Sequence, residues 1–177
     1  MPMGPATLSD LTGIDIGYHV RKNFEQRLGE RYKMHPLFEV VYQTGCYGRK
    51  TGAGYFDYSG SEPVPNQKVV AAIQQYLDEI SVTPKEMSKE EVVDVMLALG
   101  INEAALIMEE GICDRPQDMD LALIYGLGFP PYRGGVLRYA DKWGIKNVYE
   151  KLKVLEKQYG LRFKPASLIK EMAESGK

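Results

Sequence analysis

At 177 residues, with 22 Lys plus Arg against 24 Asp plus Glu and a formal net charge of −2, the chain has the size of one domain, or of one domain with a short subdomain. A nucleic-acid footprint needs clustered positive charge, and here the basic residues are scattered among acids apart from Arg49-Lys50, so no nucleic-acid partner is expected. No apolar run is long enough to span a membrane, no signal-peptide pattern opens the chain, and Cys46 and Cys113 lack a CxxC partner, so the expectation is a cytoplasmic protein with two inert thiols and no membrane partner.

Behind Pro5, the apolar residues Leu8, Leu11, Ile14, Val20, Phe24 and Leu28 recur at mostly helical spacing and predict a helix ending near Gly29. Gly13 and Gly17 are tolerated inside it, or mark close approach of another helix. The chain enters this pattern abruptly, through a Met-Gly-Pro turn, which reads as the tail of a longer or split enzyme. Residues 30–36 read as a loop, and Pro36 to Tyr42 as a short buried helix stopped by Gly45. The close glycines Gly48, Gly52 and Gly54 argue against helix, and Tyr55, Phe56 and Tyr58 suggest a short extended piece on the core. Ser59 to Pro65 is linker-like.

Val69 to Ile80 reads as a helix, with Val70, Ile73 and Leu77 on one side. After a break at 81–87, Ser88-Lys-Glu-Glu91 is a capping-box pattern that opens a long helix to about Glu110, stopped by Gly111. Asp114 or Arg115 starts the next, with Pro116 near its first position and Asp118 and Asp120 in its first turns, where the helix dipole favours acids. It closes at Gly126 or Gly128, ahead of the rigid Phe129-Pro130-Pro131. Helix resumes at Val136, breaks near Gly144 and runs to about Tyr159, and 166–173 forms the last one. No run of period-two alternation is long enough for a sheet, so the fold class is all-α.

An internal echo runs through this pattern. Met3, Gly4, Asp10, Gly13 and Ile14 correspond to Gly134, Gly135, Asp141, Gly144 and Ile145 at one constant offset. That reads as a duplicated helical unit, the first copy cut off before its leading helices.

Motifs that carry chemistry were tested in turn. Gly126-Leu-Gly128-Phe-Pro-Pro lacks the third glycine of a dinucleotide loop and follows a helix rather than a strand. Lys50-Thr51 has Arg49 where a phosphate loop requires glycine, although Arg49 and Lys50 can be read either as a solvated basic turn or as a contact for a phosphorylated ligand. His19 and His35 have no second ligand at useful spacing, so no metal site is expected. No nucleophile–base arrangement can be defended from spacing; Glu109, Glu110, Asp118 and Asp120 read as solvated faces and helix-start charges. Asn102 lies among Ile101, Ala104 and Ala105, so its amide either bonds a neighbouring loop in the core or meets a ligand.

Four segments, MGPATLSDLTGID, GRKTGAGYFDY, INEAALIMEEGI and DMDLALIYGLGFPPYRGGVLRYADKWG, together resemble the C-terminal helical region of L-3-hydroxyacyl-CoA dehydrogenases. The resemblance is strongest to the multifunctional fatty-acid oxidation enzymes, which carry two such helical units in tandem, and it runs from Met3 to about Lys164. It implies a helical bundle of the 6-phosphogluconate-dehydrogenase C-terminal-like type: residues 1–60 as a truncated first unit, 61–87 as a helix and linker, and 88–177 as the second unit.

The resemblance also implies a parent enzyme that oxidises a 3-hydroxyacyl-CoA to the 3-ketoacyl-CoA with NAD in fatty-acid β-oxidation. A Rossmann domain, in cis or in trans, would bind NAD and supply a His-Glu pair. The helical domain would close over the acyl-CoA and form a dimer interface or its intramolecular equivalent. Neither His19 nor His35 matches the catalytic histidine, so no catalytic residue and no cofactor site falls in this chain, which alone should be inactive. Met3, Gly4 and Pro5 match a turn that lines the acyl pocket. The family's V-N-R asparagine falls in a helix ahead of that turn, and Asn102 is the corresponding position of the second unit. Phe129 and Pro130 precede the second unit's matching turn and complete the substrate-binding candidates. The competing reading is a non-catalytic binding or assembly module that docks on a separate NAD-binding subunit or dimerises through its apolar helices. A third is the helical domain of a related dehydrogenase acting on another hydroxy acid.

Overall fold

The structure, a computed structural model, describes residues 3–176. Among these, the all-α expectation holds, with nine α-helices: α1 (Pro5–Thr12), α2 (Ile14–Leu28), α3 (Pro36–Gln43), α4 (Gln67–Glu79), α5 (Lys89–Glu109), α6 (Pro116–Leu127), α7 (Val136–Trp143), α8 (Ile145–Tyr159) and α9 (Ser167–Ser175). The extended piece around Tyr55 is half of a small antiparallel ribbon, in which β1 (Phe56–Asp57) pairs with β2 (Val64–Pro65). Each strand has two residues, too few to leave an alternating pattern in the sequence.

The described residues form two compact units, 3–86 and 87–176. In the first, Ile14, Val41 and Val69 make a small core from α2, α3 and α4, with Cys46, Tyr55 and Ile73 packed against it. Tyr18 stacks on Tyr42 with ring centroids 4.0 Å apart and planes 6° from parallel, and Tyr42 stacks on Tyr47. In the second, α5 is the helix the others are built on. Ala98, Ile101, Asn102 and Ala105 lie at helical spacing and are all buried, and small side chains there let α7, α8 and α9 approach closely. Val148, Leu152 and Leu155 of α8 fill the same core, each worth about 1.5–3 kcal/mol of burial. The capping box that opens α5 is formed as the sequence implies: the Ser88 N–H donates to Glu91 Oε2 at 2.8 Å, and the Glu91 N–H donates to Ser88 Oγ at 3.1 Å.

The single first helix expected from the apolar spacing is in fact two. Gly13 sits at φ 105°, a conformation an L side chain rarely adopts, and turns the chain between α1 and α2. The spacing could not show this, because Leu8, Leu11, Val20, Phe24 and Leu28, which carry it, are exposed and only Ile14 among them is buried, so the period marks no single packed face.

The echo extends well beyond the five residues that suggest it. Four successive elements recur 131 positions on: α1 as α7, α2 as α8, the 3-10 turn Glu30–Tyr32 as Leu161–Phe163, and α3 as α9, so that Pro5, Ile14, Glu30 and Pro36 match Val136, Ile145, Leu161 and Ser167. The joints agree in angle. Gly13 (φ 105°, ψ 120°) matches Gly144 (φ 89°, ψ 119°), and Gly29 (φ 76°, ψ −163°) matches Gly160 (φ 88°, ψ −166°). Each of these four N–H groups donates to the carbonyl four residues back.

Candidate functional site

A cavity of about 220 Å³ opens in the first unit along α1 and α2, lined in part by Leu8, Gly13, Gly17, Arg21, Phe38 and Tyr55. Glycine at 17 of α2 leaves room for the Arg21 guanidinium, one nitrogen of which would lie 2.7 Å from a Cβ there. That guanidinium donates to the Gly17 carbonyl at 2.9 Å and lies 4.1 Å from the Phe38 ring centroid, so the stem of Arg21 forms part of the cavity wall. Burial pushes the Tyr55 phenol pKa up. The space is smaller than the roughly 300–1,000 Å³ of typical small-molecule sites.

Met3, Gly4 and Pro5 lie at one end of α1: Gly4 is its N-cap, Pro5 its first residue, and the Gly4 carbonyl accepts from the Leu8 N–H at 3.0 Å. They do not line the cavity. Nothing comes within 4 Å of a Cβ built on Gly4, so this turn is open.

Asn102, in the second unit, has no exposed surface. Its Nδ2 donates to the Lys164 carbonyl at 2.9 Å and its Oδ1 accepts from the Ala166 N–H at 2.8 Å. Of the two readings of this residue, the structure shows the core amide, which fixes the strand of chain between Leu161–Phe163 and α9. Phe129 packs against the second unit's core and donates its N–H to Leu123 at 3.1 Å, while Pro130 caps the 3-10 turn Pro131–Arg133.

Two aspartates have roles that the sequence reading did not give them. Asp10 is 1% exposed and accepts three hydrogen bonds: Tyr55 N–H at 2.8 Å, Phe56 N–H at 2.9 Å and Tyr58 O–H at 2.9 Å. A Cβ on Gly54 would sit 2.1 Å from its Oδ1, and one on Gly48 2.2 Å from its carbonyl oxygen. Gly54 therefore makes room for the Asp10 carboxylate and Gly48 for the Asp10 backbone. Asp120, read from sequence as a solvated helix-start charge, is instead buried in the second unit. It accepts from the Leu137 N–H at 2.7 Å and the Arg138 N–H at 3.1 Å, and so caps α7, not its own helix. A Cβ on Gly135 would come within 2.2 Å of it, which is why glycine stands there. Glu109 likewise serves another helix, accepting from the Leu168 N–H at the start of α9.

The remaining candidates take structural partners. Lys50 Nζ is 2.6 Å from Asp15, and Arg49 lies over the Tyr58 ring at 5.1 Å. His35 caps α3 through Nδ1, which accepts from the Leu37 N–H at 3.2 Å, and His19 stands edge-on to Tyr18 and Tyr42. Among the described residues no group of three His, Cys, Asp or Glu is placed to hold a metal, and no helix is long and apolar enough to cross a membrane. The carboxylates with a displaced pKa are displaced downward: Glu39 by the Tyr18 hydroxyl, Asp15 by Lys50, Asp57 by Ser59 and Asp118 by Arg115. That direction is opposite to what general acid–base work near neutrality requires. A Lys50→Met variant should raise the Asp15 pKa toward its ordinary value of about 3.9, read by NMR titration. Because the folded value is the lower one, this pair's contribution to stability is present above the unfolded pKa and is lost as pH falls through the folded one.

Comparison with known proteins places these features. The profile of the family "3-hydroxyacyl-CoA dehydrogenase, C-terminal domain" matches residues 1–58 and 92–177. The chain is 34% identical over 181 residues to the peroxisomal fatty acid beta-oxidation multifunctional protein AIM1 of Arabidopsis thaliana, covering 99% of this chain and 25% of that protein. It is 38% identical over 176 residues to the fatty acid oxidation complex subunit alpha of Shewanella amazonensis, covering 99% and 24%. The chain thus spans about a quarter of the length of these relatives. In fold it is similar to 3-hydroxybutyryl-CoA dehydrogenase of Escherichia coli K12, with a TM-score of 0.73 at 20% identity over 99% of this chain and 52% of that one. It is also similar to the dehydrogenase part of multifunctional enzyme 1 of C. elegans, with a TM-score of 0.66 at 20% identity over 96% and 38%.

Proposed function

Because the chain belongs to the family of 3-hydroxyacyl-CoA dehydrogenase C-terminal domains, we propose that it is the helical part of an enzyme that oxidises a 3-hydroxyacyl-CoA to the 3-ketoacyl-CoA with NAD. The observation that carries this is the family match on both sides of residues 59–91, joined to relatives named for fatty-acid oxidation of which the chain spans a quarter. In this reading NAD and the catalytic histidine belong to a Rossmann domain supplied in cis or in trans. The open turn at Met3, Gly4 and Pro5 of the first unit faces the acyl-CoA, and Phe129 and Pro130 are the second unit's own candidates for substrate contact. Residues 1–60 are a first copy of the helical unit and 88–177 a second, which the matching joints at Gly13 and Gly144 support. Unpaired thiols at Cys46 and Cys113 suit a reducing compartment such as the cytoplasm. A homodimer through exposed apolar helix faces is the expected assembly.

The test is an NADH-formation assay with a 3-hydroxyacyl-CoA. The chain alone should give no turnover, and adding a separately expressed NAD-binding domain of the Shewanella subunit type should produce it. Turnover by the chain alone would refute the placement of the chemistry elsewhere. Association with the NAD-binding domain that leaves its rate unchanged would favour an assembly module instead.

A further inference from the structure

Three tyrosines of the first unit stack in a row. Tyr18 of α2 and Tyr42 of α3 lie with ring centroids 4.0 Å apart and planes 6° from parallel, closer than the about 4.5–7 Å at which aromatic pairs ordinarily meet. Tyr47 continues the row, 5.4 Å from Tyr42. Tyr18 is 5% exposed, while Tyr42 and Tyr47 are half-buried, so the row leads from the interior toward solvent. At its inner end the Tyr18 hydroxyl donates to Glu39 Oε2. Gln43 Nε2 donates to the other carboxylate oxygen at 2.7 Å, and Lys22 Nζ stands 3.6 Å from Oε2. The Tyr18 hydroxyl, more than any other group, holds the Glu39 pKa below its ordinary value, so the acceptor is ionised near neutrality. The recurring elements show how little of this the backbone demands. The positions 131 residues on from Tyr18 and Lys22 are Tyr149 and Lys153, and in both pairs the lysine faces the ring, 4.9 Å and 6.0 Å from its centroid. The positions that match Glu39 and Tyr42 are Lys170 and Ala173. The tyrosine and its lysine therefore belong to the shared path of the chain, whereas the proton acceptor and the stacked ring are particular to the first unit.

We propose that Tyr18 is a site of one-electron oxidation, and that Tyr42 and Tyr47 are the path by which its electron leaves. A one-electron oxidant of the peroxide-derived radical class takes an electron from the Tyr47 ring and is reduced by it. Tyr47 refills from Tyr42, and Tyr42 from Tyr18, because overlapping parallel rings share a missing electron. The Tyr18 O–H bond then breaks, and its proton forms a bond to Glu39 Oε2. A neutral phenoxyl radical remains at Tyr18. Tyr42 and Tyr47 end with their O–H bonds intact; one electron has passed from Tyr18 to the oxidant and one proton from Tyr18 to Glu39. The carboxylate makes Tyr18 the stopping place, because only there does loss of the electron meet a ready acceptor for the proton. Burial of the ring shields the radical from the coupling reactions that cross-link exposed tyrosines, so the row acts as a sink for oxidising equivalents that reach the surface. This activity is independent of the dehydrogenase reading.

The test oxidises the full chain with a flash-generated ruthenium(III) tris-bipyridine complex, a one-electron oxidant, and follows the radical by electron paramagnetic resonance. The expected result is a neutral tyrosyl signal whose lifetime falls about tenfold or more in Tyr18→Phe and in Glu39→Gln, the second of which replaces a charged acceptor by a neutral one. Tyr47→Phe should lower the yield and leave the lifetime unchanged. Tyr149→Phe, the matched ring without a carboxylate, should change neither. A lifetime unchanged in Tyr18→Phe or in Glu39→Gln overturns the proposal, as does a signal of thiyl or tryptophanyl type with no tyrosyl component. Far-UV circular dichroism judges the fold of each variant. If Tyr18→Phe does not fold, Glu39→Gln, which leaves every ring in place, decides by the same lifetime. Turnover of a 3-hydroxyacyl-CoA is read separately, so failure of the oxidation site leaves the enzymatic reading standing and the reverse.

Discussion

An Asp10→Ala variant should lose about 3–5 kcal/mol of first-unit stability, a large part of the roughly 5–15 kcal/mol that holds a domain. The carboxylate is buried and receives the N–H groups of Tyr55 and Phe56 and the hydroxyl of Tyr58, and bonds to a charged acceptor contribute about 1.5–3 kcal/mol each. Deleting it leaves donors in the interior that water reaches only if the 48–58 loop opens. Asp10→Asn should recover little, because its amide nitrogen would confront donors on one side. Gly54→Ala tests the other side of the same contact: a methyl 2.1 Å from Oδ1, with the Gly48 backbone at 2.7 Å, has nowhere to move. The measurement is urea unfolding followed by circular dichroism and by tryptophan fluorescence together. The chain's single tryptophan, Trp143, is in the second unit, so an early circular-dichroism phase with the fluorescence midpoint unchanged is the expected signature. A loss below about 1 kcal/mol in both variants would show that the carboxylate does not hold the loop.

Asp10 also shows where sequence reading stops. Two of its three partners are backbone N–H groups 45 and 46 residues away, and backbone donors leave no trace in residue identity. The glycines at 48, 52 and 54 announce an irregular segment, but the close approach of Asp10, by its backbone to Gly48 and by its carboxylate to Gly54, is invisible until the chain is folded. Asp120 is the same case with opposite surface logic. An acid in the second turn of α6 is near enough to the helix start to be explained by the dipole, and that explanation conceals its service to α7. By contrast, signals that act within one helical turn were legible. Ser88 and Glu91 cap α5, Pro116 starts α6, and Gly144 parts α7 from α8. The break at Gly13 is present in the echo through its equivalence to Gly144, while the apolar spacing continues across it and masks the turn.

The repeat explains why these local signals and the packing diverge. What the two sets of recurring elements hold in common is a set of glycine joints with positive φ, which fix the path of the chain whatever side chains it carries. What they do not share is the buried face. Leu152 and Val148 are replaced by Arg21 and Gly17, a change from a filled core to a walled cavity on nearly the same backbone. A backbone fixed by hinges tolerates such exchange, because its turns do not depend on the core behind them.

Asn102→Ala should cost the second unit about 3 kcal/mol or more. The side chain is fully buried, so truncation removes two hydrogen bonds and leaves the Lys164 carbonyl and Ala166 N–H facing a cavity, each at about 1–3 kcal/mol. For a unit of this size each kcal/mol moves Tm by roughly 4–8 °C, so a fall of about 10 °C or more is expected. Trp143 reports it, since α7 packs on α5 beside the substituted turn. Asn102→Asp separates the two bonds. It retains an acceptor for the Ala166 N–H but places a carboxylate oxygen against the Lys164 carbonyl, where only a protonated acid can donate. Burial and that carbonyl both raise the folded pKa of the new carboxyl above its unfolded value. Its favourable contribution is therefore present at low pH and lost as pH rises through the folded pKa, so relative to Asn102→Ala the Asp variant should be more stable at about pH 4 than at about pH 8. A residue that served substrate alone would behave otherwise, with an unchanged Tm in Asn102→Ala and its effect confined to acyl-CoA affinity in the reconstituted enzyme.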